Sequence, residues 1–256
     1  MIIARLIKPE TSLYGMISKL FAPLIIIEKF EVISWFAPWT ILAAGMAAKA
    51  GMVDRHTFWE FSGWNEGMIS LTILIIAMII LKINNHSILL DKDKMGVISE
   101  WVLRCIFFLI CWILGWGITD ILSGLGYFLG YLPMFFGIFL LYFIELDDNT
   151  ITLFRRKIGV FSSILFLLSC FCGWLLDDPV LATASIVMVP FTLILAVTTH
   201  SRHIQRSHIY PLFIIIGFVI ARQGWFLFPV LILFYLLRFY NYFIYKNIFP
   251  GFAVDH

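Results

Sequence analysis

Runs of about twenty apolar residues recur along the whole chain, and no other feature limits its folding as severely. A helix of that length spans the ~30 Å hydrocarbon core of a bilayer. Such stretches lie at about 32–50, 68–83, 101–118, 121–144, 158–176, 180–199, 209–221 and 225–245. A further stretch, 12–28, is amphipathic and holds Lys19 and Pro23, which suits a helix lying in the interface. No run alternates with a period of two, which disfavours a barrel. In lipid the backbone must then satisfy itself within helices. The expected fold is all-α: a polytopic membrane helix bundle of about 8–9 transmembrane helices. Composition agrees. Of 256 residues 61% are hydrophobic and only 13% charged, with mean hydropathy +0.96. So few charges could not cover the core of a soluble domain of this size.

One bundle is expected over 1–256: an interfacial segment at 1–29, transmembrane helices over 30–245, and a cytoplasmic tail at 246–256. The opening MIIARLIKPE is broken by Arg5, Lys8 and Glu10, so no cleavable leader is expected. Cys105, Cys111, Cys170 and Cys172 fall inside apolar runs and read as buried thiols. A net charge of +2 gives no reason to expect nucleic acid.

Orientation follows from where the cations lie. Thirteen occupy the termini and the loops after even-numbered spans: Arg5, Lys8, Lys19, Lys29, Lys82, Lys92, Lys94, Arg155, Arg156, Lys157, Arg202, Arg206 and Lys246. Three, Lys49, Arg55 and Arg222, fall on the other side. The positive-inside rule then makes both termini of this integral membrane protein cytoplasmic. Loops after spans 3 and 5 are minimal, at Thr119-Asp120 and Asp177-Asp178-Pro179. A basic, polar cytoplasmic mouth over an apolar bundle suits an amphiphile with an anionic head.

Three segments could carry chemistry. Asn85, Asp91, Asp93 and Lys94 follow span 2. Oxygen ligands there would suit Mg²⁺, which shares its coordination with phosphate. On a helix Asn85 and Asp93 fall about 80° apart, whereas Asp91 and Asp93 fall about 200° apart and cannot face one ion. A solvated loop of alternating charge explains the same residues. Arg155, Arg156 and Lys157 follow span 4 and suit a diphosphate or lipid head group, or simply fix topology. Arg202 and Arg206 lie with His200, His203 and His208 after span 6. Six histidines in the chain are too few for a di-iron membrane site, and the arginines repel a cation. That segment reads as a phosphate-facing loop or a plain connector. Gly126, Gly130 and Gly137, with Ala43, Ala44, Ala47 and Ala48, suit close helix contact in lipid. Most tryptophans fall near span ends, as interfacial belts do, and Trp112 lies deeper.

These three segments together resemble the UbiA-type membrane prenyltransferases. That family carries two acidic motifs on cytoplasmic loops after spans 2 and 6 and a basic segment after span 4. Asn85 and Asp93 are similar to the asparagine and last aspartate of the first motif, with Lys94 where a basic residue is common. Leu141-Tyr142 followed by Phe154-Arg155-Arg156-Lys157 resembles the stretch after span 4. Arg238-Phe239-Tyr240-Asn241-Tyr242-Phe243 and Ile248-Phe249-Pro250-Gly251-Phe252 resemble tails of some members. The resemblance implies Mg²⁺ at Asp91 and Asp93, and head-group contacts from Asn85, Lys94, Arg155, Arg156, Lys157, Arg202 and Arg206. The chain departs at Leu89, where the first motif has its middle aspartate. It departs again at Arg202 and Arg206, where the second motif has its acids. The expectation is a prenyltransferase-like binder of an isoprenoid or lipid that has lost catalysis. The alternative is a non-catalytic subunit of a larger membrane complex, holding pigment, quinone or lipid, with other integral membrane proteins as partners. No buried acid pair marks an ion path, which disfavours a transporter.

Overall fold

A computed structural model gives the architecture and describes residues 2–29, 35–53, 59–61, 63–84, 92–144, 152–198 and 201–247. Among these every regular element is a helix, apart from one isolated parallel bridge between Glu60 and Gln223. The helices are α1 (Ile2–Leu6), α2 (Ser12–Phe21), α3 (Phe36–Val53), α4 (Trp64–Ile83), α5 (Ile98–Trp116), α6 (Ile121–Leu141), α7 (Leu153–Leu175), α8 (Pro179–Val197), α9 (Ser201–Arg222) and α10 (Leu227–Tyr245). Six stretches of described helix are long and apolar enough to cross a membrane: Trp64–Leu81, Ile98–Trp116, Ile121–Leu141, Leu153–Leu175, Pro179–Val197 and Gly224–Tyr245. All eight apolar runs of the sequence thus fall on helices, α3 to α10, and several long apolar helices mark an integral membrane protein.

The chain divides into two compact units, Met1–Val32 with Phe226–His256, and Ile33–Trp225. In the first, α2 packs along α10 around Tyr14, Tyr242 and Phe243. The Tyr14 hydroxyl donates to the carbonyls of Tyr242 (2.7 Å) and Phe243 (3.1 Å). It thereby adds a donor to carbonyls at the end of α10, where the Tyr242 carbonyl also accepts from the Lys246 amide at 3.0 Å. Thr11 caps α2 by accepting from the Tyr14 amide.

In the second unit α3 is central and packs on α5, α6, α8 and α9. Ala37, Ala43, Ala44, Ala47 and Ala48 are all buried, so neighbouring helices come close. A Cβ at Gly115 of α5 would lie 2.0 Å from the Leu42 carbonyl oxygen, and one at Gly45 would lie 2.7 Å from the Trp112 carbonyl oxygen. These two backbones touch because neither glycine carries a side chain. The α7/α8 pair uses the same device. A Cβ at Gly173 would meet the Ala182 amide at 2.5 Å, and one at Gly159 the Thr192 carbonyl at 2.8 Å. Gly130 and Gly137 of α6 likewise face Leu176 and Phe166, but Gly126 faces open space. Trp112 centres an aromatic core with Phe128, Tyr131 and Phe135, and its indole N–H donates to the Gly124 carbonyl at 2.9 Å. α4 buries little, and Ile69, Ile73, Ile75, Ile76, Ile79 and Ile80 face outward.

Three sequence expectations change here. Residues 154–157 and 201–208 are not loops but the first turns of α7 and α9. The cause is burial: Arg155, Ile204, Ser207 and His208 all turn inward, and a helix satisfies the backbone that such burial removes from water. Trp35, Trp116 and Trp225 are buried core residues rather than interfacial ones. The short connections hold as read, and they work through aspartates. Asp120 (φ 56°) and Asp177 (φ 53°) adopt the left-handed turn conformation, which a short polar side chain tolerates.

Candidate functional site

The beginnings of α7 and α9 and the ends of α6 and α8 meet at one end of the second unit. Thr152 caps α7 by accepting from the Arg155 amide at 3.1 Å. Arg155 is 1% exposed. Its Nε donates to the Leu195 carbonyl at 2.9 Å and its Nη2 to the Thr198 carbonyl. These are among the last carbonyls of α8, where the helix dipole is negative, so a cation there is doubly favoured. Successive helical residues turn by about 100°. Arg156 and Lys157 therefore leave the inward face, and both are exposed. Arg206 of α9 is exposed as well. Arg202 belongs to the first turn of α9.

Beneath these cations lies His208, 3% exposed. One ring nitrogen, Nε2, lies 2.7 Å from the Leu141 carbonyl and so carries the proton. The ring stacks on Tyr142 with centroids 4.8 Å apart. Burial pushes the His208 pKa down to about 4, so the imidazole is neutral at physiological pH. Its Nδ1 has no hydrogen-bond partner among the described residues.

Asp93 and Lys94 sit in a single 3-10 turn at Lys92–Lys94, and both are exposed. Asn85 and Asp91 lie outside the described residues. Among the described residues no group of three or more His, Cys, Asp or Glu side chains could hold a metal ion. The four cysteines are free thiols.

Two charged residues of the opposite end were not singled out from sequence. Asp178, 6% exposed, caps α8 by accepting from the amides of Val180 (2.9 Å) and Leu181 (3.3 Å). It also accepts from the Tyr131 hydroxyl at 2.7 Å. An aspartate directly before a proline at a helix start was the available signal. Arg222 closes α9 and is 7% exposed. Its burial has no local signature, because it depends on a glycine of α3.

Compared with family models, curated proteins and solved structures, the chain matches none.

Proposed function

We propose that this is an eight-span membrane protein, both termini cytoplasmic, that holds an isoprenoid or other lipid by its anionic head where α7 and α9 begin. α9 crosses by its apolar part, 209–221. The layout resembles the UbiA prenyltransferases, without efficient transfer. One observation carries the reading. Arg155 turns inward onto the end of α8, while Arg156, Lys157 and Arg206 stay exposed at the same end of an apolar bundle. Fixed cations over lipid-facing helices attract a phosphate whose tail can lie against the bundle.

Mg²⁺ fits the donor set poorly. Asp93 is exposed, and Arg202 and Arg206 stand where the second acidic motif would place carboxylates. Without that second set a metal pair cannot bridge a departing diphosphate. A fixed positive charge also disfavours an allylic cation. The expected behaviour is binding without turnover.

Purified protein is incubated with labelled allylic diphosphates, Mg²⁺ and mixed aromatic acceptors, and binding is followed in parallel. Retention of the diphosphate that survives EDTA and weakens in Arg156→Ala, Lys157→Ala and Arg206→Ala agrees with the proposal. Robust transfer that vanishes in Asp93→Asn overturns it. Terminal reporter fusions test the orientation; signal on the outer side refutes it. The outward apolar face of α4 favours the second reading, a subunit that packs against another membrane protein. Co-purification of a stoichiometric integral partner in mild detergent would decide for it.

A further inference from the structure

Arg222 lies one full helix, about 30 Å, from the basic end of the second unit. There α3, α5, α7 and α9 terminate and α4, α6 and α8 begin. Its guanidinium lies against the backbone of Gly51 in α3. A Cβ on that glycine would fall 2.4 Å from Nη1 and 2.9 Å from Cζ. The main chain around it is fixed. The Trp59 amide donates to the Ala221 carbonyl (3.0 Å), the Glu60 amide to the Arg222 carbonyl (3.0 Å), and the Gly224 amide to the Glu60 carbonyl (2.9 Å). Yet among the described residues Nη1 is buried with no hydrogen-bond partner, and the side-chain oxygen of the next residue, Gln223, is also unmatched.

Lys49 and Asp178 of this end are already engaged. Lys49 donates to the Thr119 carbonyl at 3.3 Å and lies 5.0 Å over the Trp116 ring. Both carboxylate oxygens of Asp178 accept bonds, from the α8 amides and from Tyr131. Helix ends at α3 and α9 present their negative poles, which helps hold a cation but leaves Nη1 without an acceptor. A buried guanidinium with a spare donor is costly unless an acceptor arrives. Gly51 and the 59–60 strap keep it in place rather than letting it swing out to water.

We propose that Arg222 is the core of an oxyanion site for a phosphate group, built at the end of the bundle opposite the basic helix starts. Its planar fork supplies paired donors to phosphate oxygens, which a lysine could not do. The phosphate can come from a lipid head group or from solution, and the two sources are separable.

The test uses the full chain. In detergent, thermal unfolding is followed while inorganic phosphate is titrated at constant ionic strength, with chloride as control. In nanodiscs, phosphatidylglycerol is compared with phosphatidylcholine. Wild type is expected to gain stability from phosphate, from phosphatidylglycerol, or from both. Response to phosphate alone identifies the soluble source; response to phosphatidylglycerol alone identifies the lipid. Arg222→Gln should weaken the response about tenfold, and Arg222→Lys should weaken it less. Gly51→Ala keeps the charge but displaces the guanidinium, and should weaken the response as Arg222→Gln does. The wild-type titrations stand even if a variant fails to fold: no response to either source overturns the proposal. So does an undiminished response in Arg222→Gln.

Discussion

Replacing Arg155 by alanine separates two roles that the triplet Arg155-Arg156-Lys157 fuses in sequence. The guanidinium is buried and donates to two carbonyls at the end of α8. Its removal takes this donor from the buried Leu195 carbonyl and the part-buried Thr198 carbonyl, at up to about 1–3 kcal/mol each. It also takes a cation from a helix C-terminus, worth about 0.3–1 kcal/mol or more when partly buried. The vacated space adds to the cost. Partial relaxation and water entry offset some of this, so a net loss of about 3–4 kcal/mol is expected. Arg156→Ala and Lys157→Ala touch exposed side chains and should stay within about 0.5 kcal/mol of wild type. Trp112 and Trp225 are fully buried, so tryptophan emission in mild detergent reports unfolding. At about 2–4 °C per kcal/mol for a chain of this size, Arg155→Ala should lower the midpoint by about 6–16 °C. Arg156→Ala and Lys157→Ala should instead lose affinity for anionic lipid at an unchanged midpoint. An Arg155→Ala protein with the wild-type midpoint but no lipid binding would refute the reasoning, because Arg155 would then be a ligand residue and not a cap.

Three further outcomes are expected. Gly115→Ala should cost about 2–4 kcal/mol or abolish folding, since its Cβ would meet the Leu42 carbonyl at 2.0 Å, whereas Gly126→Ala meets nothing and should be neutral in the same melt. Tyr131→Phe strips the donor from Asp178 Oδ2 and should lower stability by about 1–3 kcal/mol, read by denaturation in detergent. His208, lowered by burial from the usual 6.5 to about 4, takes up its proton more readily unfolded than folded, so stability is full above about pH 6.5 and falls toward pH 4. The slope is about 1.4 kcal/mol per pH unit, and a melt series from pH 7 to pH 4.5 should flatten in His208→Gln.

The helices were legible because lipid imposes long apolar runs, and each run from 32–50 to 225–245 overlaps one described helix. Their starts were less so. Apolar length gave 158 and 209, but α7 starts at Leu153 and α9 at Ser201. Polar residues such as Arg155 and His208 can be buried when a neighbouring helix end offers carbonyls, and hydropathy does not record that offer. The same blindness affects the candidate site. Three adjacent cations look equivalent in sequence, yet the 100° step sends one inward and leaves two outside. Trp116 and Trp225 were misplaced because a tryptophan at a helix end suits an interface and a core equally. Trp225 is settled by Trp64, 5.4 Å away across the unit, and by Gly67, which makes room for its ring. Arg222 was invisible for a related reason, since its seat is the missing side chain of Gly51.

The central position of α3 also bears on how the chain enters the membrane. This helix emerges early, yet the surfaces that enclose it belong to α5, α6, α8 and α9, all of which leave the ribosome later. Its alanines and glycines make close contacts with those helices and offer lipid little apolar bulk. α3 must therefore wait beside the translocon, or sit loosely in lipid, until most of the chain has been made. Its final seating therefore comes late in synthesis, and a chain stopped after α4 would leave it without the neighbours it was shaped to receive.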